Sequence, residues 1–279
     1  MESSIRSFVP PACISLGRYF KKKWLNFSER EKLNRNKLLK NIHKGKRCFI
    51  LCNGPSANDQ NLTALRNEIV ISVSSGYNHN GYAEIKPKYH VVPQITFGRF
   101  TEEDAIAWFG EMDRCLLSEI LFLSSQQYNL VEKSGLLATK HIHYVGMFGD
   151  FTGDLCVPSI DKYIPGVQSV PVLAIMIAMY MGFNRIYLLG TDHDWFIKKN
   201  YLYAFGPTIF AGKDPGVERD GRMPDLRLAD ELPIAATIWG QYRALREIAE
   251  KNKIKIYNAT AGGALDEFER VDFDGLFNR

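Results

Sequence analysis

Residues 47–56 read RCFILCNGPS, an apolar run that ends in the turn-forming residues Asn53, Gly54 and Pro55. A short, continuously apolar run bounded by Gly and Pro is typical of a strand that is buried on both faces of a sheet. Six similar runs follow, and segments with helical patterns lie between them. The predicted strands are 47–52, 69–74, 89–93, 120–125, 142–146, 185–190 and 254–258, and the predicted helices are 58–67, 101–117, 168–181 and 235–252.

This alternation of strands and helices decides the fold class. Helices that separate buried strands cover both faces of a mainly parallel sheet. We therefore predict one α/β domain over residues 47–279. Residues 196–233 interrupt the alternation with eight Gly and Pro residues and many charges. That segment is too long for an ordinary connection, and it predicts either an active-site lid or a mobile insertion.

The composition limits the class of protein. The chain has 279 residues, of which 46% are hydrophobic and 24% are charged, and this excludes a largely disordered chain. The longest apolar run, residues 170–181, is too short to span a bilayer. No secretory signal pattern opens the sequence, and its five cysteines have no metal-ligand spacing. We expect a cytoplasmic protein with reduced thiols.

The positive charge is concentrated at the N-terminus. Residues 1–46 carry twelve Lys and Arg against three Glu, a net +9, whereas the whole chain is +4. Residues 47–279 therefore carry −5. Aromatic side chains adjoin the lysines at 21–23, a combination that suits an anionic membrane surface. A solvated helical arm that packs on the body, or on a partner subunit of a homo-oligomer, explains the pattern equally well. The basic stretch is short and has no recognition motif, so we expect no nucleic-acid partner.

The turn Asn53–Ser56 is the strongest chemical motif in the sequence. In open α/β sheets, ligands bind beyond the carboxyl ends of the strands. Gly54 would let the backbone approach a ligand, and Ser56 or Asn58 would cap a helix whose N-terminus favours phosphate. A plain strand-to-helix turn remains the alternative. The motif is neither a P-loop nor G-x-G-x-x-G, so ATP hydrolysis and nicotinamide binding lose their usual support.

Polar residues also follow the other predicted strands. Hydroxyls and amides gathered along one edge of a sheet suit the base and ribose of a nucleoside. For any single one of these residues, the ordinary polarity of loops is the better explanation. They are Ser74, Ser75, Gln94, Ser124, Ser125 and Gln126.

A second motif, Thr191–Asp192–His193–Asp194, follows the apolar run at 185–190. Two carboxylates flanking an imidazole at the carboxyl end of a strand suit a general base with an orienting partner. The same residues also read Asp-x-Asp, a pattern with which many glycosyltransferases hold a divalent ion on a nucleotide diphosphate. A turn in which Asp192 caps a loop is the structural alternative.

Several segments, in one order along the chain, carry a family resemblance. They resemble the bacterial sialyltransferases of the Campylobacter lipooligosaccharide type and the wider 6-hydroxymethylpterin diphosphokinase-like domain family. The resemblance implies a single Rossmann-like nucleotide-binding domain with a lid, and an inverting, metal-independent transfer of an acidic sugar from a CMP donor, with no cofactor required. The segments are FILCNGPS at 49–56, MGF at 181–183, RIYLLGTD at 185–192, YAF at 203–205 and KIKIY at 253–257.

The resemblance also assigns roles to residues. Asn53 and Gly54, with Pro55 and Ser56 of the same turn, would contact the nucleotide and its phosphate, and Tyr203 would bond the departing phosphate. Two positions depart from the family pattern. The second phosphate tyrosine falls at Asp194, and the catalytic histidine falls near Ala236 and Thr237. Ser74, Gln168 and Ser169 take the remaining nucleotide-binding positions.

We therefore expect a glycosyltransferase that moves a sugar from a nucleotide donor onto a cell-surface glycan or lipid-linked precursor, at the inner face of the cell membrane. His193, Asp192 or Asp194 would take the proton of the acceptor hydroxyl. A pterin diphosphokinase-like enzyme, with magnesium on Asp192 and Asp194, is one alternative. A non-catalytic nucleotide-binding protein is another. If the base lies elsewhere, the lid offers Asp220, Asp225, Asp230 and Glu231.

Overall fold

The fold is built on one parallel sheet. The computed structural model describes residues 11–93, 101–197, 203–205 and 227–278, with the backbone alone for 11–15. Its eight strands lie in the order β5-β4-β3-β2-β1-β6-β7-β8, and every neighbouring pair is parallel. The strands are β1 (Arg47–Leu51), β2 (Val70–Val73), β3 (Tyr89–Val91), β4 (Ile120–Ser124), β5 (His141–Val145), β6 (Arg185–Leu189), β7 (Lys255–Asn258) and β8 (Glu269–Arg270). The seven predicted strands and the parallel α/β class are confirmed.

Helices cover both faces of the sheet. Cys48 and Ile50 of β1 pack on the face where Val170–Tyr180 lies, while Phe49 and Leu51 pack on the opposite face. The helix Val170–Tyr180 is almost wholly buried, which explains its uniformly apolar sequence. The α-helices are α1 (Pro11–Ser28), α2 (Arg30–Asn34), α3 (Tyr82–Ile85), α4 (Glu102–Cys115), α5 (Tyr128–Ser134), α6 (Val170–Tyr180) and α7 (Leu228–Lys251). No helix in the described ranges is long and apolar enough to cross a membrane.

Two predictions about helices are wrong. The helix predicted at 58–67 is instead two short 3₁₀ segments, Pro55–Asp59 and Leu62–Asn67, separated by an extended Gln60. The Asn61 side chain accepts a hydrogen bond from the Thr63 amide and so starts the second segment afresh. In addition, α7 begins at Leu228, about six residues before the predicted end of the lid at residue 233. Most of the remaining lid, 198–202 and 206–226, lies outside the described residues.

The predicted N-terminal arm divides into two parts. Leu33 and Asn36 are completely buried, and the Asn36 amide donates 2.7 Å hydrogen bonds to the carbonyls of Tyr144 and Ile160. Residues 33–43 are therefore part of the body. Helix α1, in contrast, leaves most of its described side chains exposed.

The sheet has one topological switch point. Strand β1 lies between β2 and β6, because the chain winds from β1 to β5 on one side and from β6 to β8 on the other. In doubly wound sheets the ligand crevice lies outside the carboxyl ends of the strands at this point. The turn Asn53–Ser56 follows β1, and the segment 191–194 follows β6, so both predicted motifs border the crevice.

Four buried histidines tie the sheet to its surroundings. Each makes one or more hydrogen bonds: His43 with the Tyr89 hydroxyl at 2.6 Å, His79 to the Cys52 carbonyl at 3.0 Å, His90 to the Ser74 carbonyl at 2.8 Å and His143 to the Asn36 side chain at 3.0 Å. Burial lowers the pKa of His90 to about 3 and the pKa values of the other three to about 4. All four rings are therefore neutral at physiological pH.

We expect the free energy of unfolding to fall as the pH drops from about 6.5 toward 4. In this window an unfolded histidine binds a proton that the buried ring does not, so acid favours unfolding. Each buried histidine contributes a slope of about 1.4 kcal/mol per pH unit. Denaturant titrations between pH 7 and 4.5 measure the slope. His90→Gln should reduce the slope by the contribution of one histidine. Equal slopes for His90→Gln and wild type would contradict this account.

Candidate active site at the carboxyl ends of β1 and β6

The Asp192 carboxylate holds the turn after β1. It accepts a hydrogen bond from the Ser56 hydroxyl at 2.8 Å and another from the Ser56 amide at 3.3 Å. The Asp192 carbonyl accepts from the Ala264 amide at 2.7 Å, and a Cβ on Gly263 would lie 2.4 Å from the Asp192 Cα atom. Asp192 is 1% exposed, so its carboxylate is a structural link between the two motifs.

The close approach of Asp192 to the turn leaves no room for a side chain at position 54, so glycine is required there. A Cβ on Gly54 would lie 1.8 Å from Asp192 Oδ2 and 2.5 Å from the Gly190 carbonyl oxygen. A side chain at Gly54 would therefore disturb the fold itself. Ser56 does not cap a helix, because its hydroxyl bonds Asp192 and only a five-residue 3₁₀ segment follows. The phosphate-binding helix N-terminus predicted here is absent from the described residues.

Residues 203–205 lie on the turn, as part of the same site. The Ala204 amide donates to the Asn53 carbonyl at 2.9 Å, and the Asn58 side chain donates to the Ala204 carbonyl at 2.6 Å. The Tyr203 and Phe205 rings stack with centroids 6.2 Å apart. The structure therefore brings the YAF segment against the NGPS turn and the residues that follow it. Asn58 and Ala204, which share one of these hydrogen bonds, are 146 residues apart in the sequence.

Two hydrogen-bond acceptors at this point have no partner among the described residues. One is Asn53 Oδ1 and the other is His79 Nδ1, and both atoms are buried. His79 Nε2 bonds the Cys52 carbonyl, which only accepts, so Nε2 carries the proton and Nδ1 is a bare acceptor. Both side chains lie against Gly76, where an added Cβ would be 3.4 Å from Asn53 Oδ1 and 3.9 Å from the His79 ring. Buried acceptors without partners are costly unless a ligand or water satisfies them.

His79 was not among the predicted site residues. It lies six residues beyond the end of β2, in a loop that starts with Ser74 and Ser75, and its ring contacts Phe205 edge to face at 5.1 Å. The one sequence signal for His79 is its position in a polar loop that follows a buried strand. Its role depends on contacts with Cys52 and Phe205, which are distant along the chain.

The His193 side chain lies against α7. Its φ of +49° lies in the left-handed region, and its Nε2 atom is 2.7 Å from the Tyr242 hydroxyl. Trp195 and Trp239 complete an aromatic enclosure with ring centroids 5.6 and 6.0 Å from the imidazole. Burial lowers the pKa of His193 to about 4.

Tyr242, also missed from the sequence, joins His193 to the start of α6. Burial raises its pKa well above the usual value, and an interaction with the Ser169 hydroxyl opposes that rise. Ser169 is the residue that precedes α6. The neighbouring Gln168 is exposed, and its backbone N–H donates a hydrogen bond to the Gln241 side chain at 2.9 Å. Ser169 therefore lies beside the His193–Tyr242 pair.

The remaining predicted residues occupy different surroundings. Ser74 has a φ of +50° and its carbonyl bonds His90, whereas Ser125 is buried and its hydroxyl is 3.5 Å from the Tyr163 hydroxyl. Pro55 is the half-buried first residue of the 3₁₀ segment. Gln94 lies outside the described residues, as do Asp220 and Asp225.

The structure also shows how far the carboxylates that were proposed as alternative bases are buried. Asp194 is 4% exposed, and Glu231 is buried with a hydrogen bond from the Trp195 indole. Asp230 is exposed. The described part of the chain holds no group of three or more His, Cys, Asp or Glu side chains arranged for a metal ion. Two open clefts of about 370 and 380 Å³ lie elsewhere, and neither includes a residue of this site.

We expect Gly54→Ala to lower the free energy of unfolding by about 3 kcal/mol, because the new methyl group overlaps a carboxylate and a backbone carbonyl. Gly240→Ala is the matched control. Gly240 lies within α7, and an added Cβ there meets nothing within 4 Å. That change should be neutral or stabilise by up to about 1 kcal/mol. Urea denaturation measures both, and equal stabilities of Gly54→Ala and wild type would show that the Asp192 contact is dispensable.

Similar folds occur among solved structures. The sialyltransferase CST-II in complex with trisaccharide acceptor and CMP is 17% identical over 81% of this chain and 86% of that chain, with a TM-score of 0.46. The sialyltransferase CstII from Campylobacter jejuni with cytidine-5'-monophosphate is 15% identical over 82% and 85%, with a TM-score of 0.44. No family model matches this chain, and neither does any curated protein sequence. These identities and TM-scores carry no functional argument, so function is inferred below from the residues.

Proposed function

We propose that the protein is a glycosyltransferase that uses a nucleotide-sugar donor, with CMP as the nucleotide and an acidic sugar as the transferred group. The observation that carries this proposal is a pair of acceptors at the switch point of the sheet, Asn53 Oδ1 and His79 Nδ1, that have no partner within the described ranges. The acceptor substrate would be a glycan or a lipid-linked precursor, as the sequence resemblance implies.

The two acceptors favour a ligand that donates hydrogen bonds. Burial lowers the pKa of His79 to about 4, so its Nδ1 atom stays unprotonated at neutral pH and does not attract a phosphate. An exocyclic amino group or ribose hydroxyls would satisfy both atoms. Cytosine carries such an amino group where uracil carries a carbonyl. A site with two buried acceptors would therefore prefer a cytidine nucleotide over a uridine nucleotide.

Tyr203 supports the leaving group in this proposal. The two hydrogen bonds between residues 203–205 and the Asn53–Asn58 segment fix Tyr203 at the crevice. A tyrosine hydroxyl donates to a phosphate oxygen without carrying charge of its own. The departing phosphate would gain a hydrogen bond there as the bond to the anomeric carbon breaks, and charge stabilisation of this kind lowers the barrier.

His193 is the base that the geometry favours. When its Nε2–H donates to the Tyr242 hydroxyl, Nδ1 is left as the acceptor that takes the proton of the attacking hydroxyl. Tyr242 then orients the ring. Asp192 is less suited to this role because its carboxylate already accepts from Ser56.

A second candidate function is nucleotide binding without catalysis. It is favoured by one observation: the Thr237 hydroxyl, where the resemblance places a catalytic histidine, donates to the Pro233 carbonyl at 2.9 Å. Such a protein would bind CMP and the CMP-sugar equally and would release no CMP from the donor. Measurement of CMP release in the presence of an acceptor glycan separates the two functions.

We expect CMP to raise the melting temperature by roughly 5–10 °C at a hundred times its Kd, because ligand bound only to the folded state stabilises it by about 2.7 kcal/mol. UDP, ATP and 6-hydroxymethylpterin should shift it less, with or without Mg²⁺. Asn53→Ala should weaken CMP binding about tenfold, since one buried hydrogen bond is worth about 1.4 kcal/mol. Asn80→Ala, an exposed change nearby, is the control. A larger shift with ATP and Mg²⁺ would favour the diphosphokinase alternative.

The pH profile of kcat/KM tests the base. A base must be unprotonated, so activity should rise with pH through a midpoint at about 4, the pKa of His193, and stay level to neutrality. Tyr242→Phe should lower kcat with little change in KM, because it leaves donor binding intact and frees the ring to rotate. His193→Asn should lose about a hundredfold or more in rate. Near-full activity of His193→Asn would exclude this role.

A further inference from the structure

Helix α1 carries five large apolar side chains that nothing in the described structure covers. They form the apolar stripe: Leu16, Tyr19, Phe20, Trp24 and Phe27, each between 56% and 79% exposed. Their spacing of three and four residues places them on one face of the helix. A contiguous exposed apolar face of this kind marks an interaction site.

The stripe is not the face by which α1 packs on the body. That packing uses other positions: Arg18 pairs with Asp150 at 3.1 Å, and the Asn26 side chain accepts from the Tyr163 amide at 2.6 Å. The Tyr163 hydroxyl donates to Glu29 at 2.8 Å, just beyond the end of the helix. Because 100° separates successive residues on a helix, Arg18 lies roughly opposite the middle of the stripe, and Asn26 lies beside the edge that Tyr19 forms. The body therefore holds α1 with its apolar stripe facing outward.

Positive charge borders the stripe. Lys23 is exposed and lies between Tyr19 and Leu16 around the helix, and the exposed Arg30 follows the end of α1. Arg30 also lines a cleft of about 370 Å³ beside α2, with Lys37 and Lys162 as further cations and Asp161 as the one carboxylate. An apolar aromatic face edged by cations is complementary to the interface of an anionic bilayer.

We propose that α1 docks on an anionic lipid bilayer, with the apolar stripe inserted at the level of the headgroups and the flanking cations on lipid phosphates. A second copy of this chain is a poorer partner for the same face. Self-association through the stripe would bring together two N-terminal segments that each carry a net charge of +9 over residues 1–46. The proposal does not depend on the catalytic function.

Vesicle co-sedimentation of the full-length protein tests the docking. The protein should bind vesicles of phosphatidylcholine with 30% phosphatidylglycerol and should bind pure phosphatidylcholine at least about tenfold more weakly, with affinity falling as salt rises. Phe20→Ser, Trp24→Ser and Phe27→Ser together should abolish binding. Lys23→Glu with Arg30→Glu should reduce it about tenfold or more. None of these side chains is part of the buried core, so the fold should persist, which circular dichroism checks.

Matched controls separate this docking from non-specific adsorption. Leu117→Ser, Leu155→Ser and Leu228→Ser together remove three exposed apolar side chains elsewhere, and Lys251→Glu with Lys255→Glu removes two exposed cations. Both control proteins should bind anionic vesicles as wild type does. Lipid-attached quenchers should reduce the tryptophan fluorescence of the vesicle-bound protein. This reduction should disappear in Trp24→Phe. Vesicle binding that survives the triple serine change, or self-association that the change abolishes in a protein without vesicle affinity, would overturn the proposal.

Discussion

The buried contact between Asp192 and the turn after β1 is the constraint on which the candidate site depends. Through Ser56 the carboxylate fixes the carboxyl end of β1, and through the Ala264 amide the same residue fixes the loop after β7. The approach is so close that only glycine fits at Gly54 and Gly263. Three neighbouring strands thus end in one rigid unit, and preorganised groups of this kind bind a ligand with little loss of entropy.

This rigidity assigns different tasks to residues that are adjacent in sequence. Asp192 faces the turn, while the left-handed backbone of His193 directs its imidazole to Tyr242 on α7. The motif Asp-His-Asp therefore does not act as one cluster of charges. A non-glycine residue in the left-handed region costs about 1 kcal/mol or more, and such strain is often kept at functional sites. The hydrogen bond to Tyr242 and the aromatic enclosure offset that cost.

The sequence alone predicts the sheet well because its strands are continuously apolar, and burial on both faces requires that pattern. It predicts the short 3₁₀ segments poorly because one side chain, Asn61, interrupts the helix locally. The residues of the candidate site also differ in how well the sequence predicts them. Motifs that directly follow a strand, such as Asn53–Ser56, can be found from position, whereas His79 and Tyr242 gain their roles from partners 27 and 49 residues away. No local pattern encodes those contacts.

The charge distribution separates recognition of the ligand from attraction to a surface. The two histidines and the tyrosine described at the crevice are neutral, because burial lowers the pKa values of His79 and His193 to about 4 and raises that of Tyr242. Neutral, buried partners discriminate between ligands by unpaired hydrogen bonds, and such discrimination does not weaken with salt. The surplus of cations lies instead in residues 1–46, next to the apolar stripe, where exposure makes their attraction sensitive to salt. Under the two proposals, ionic strength should change the attachment to a membrane without changing which nucleotide is bound.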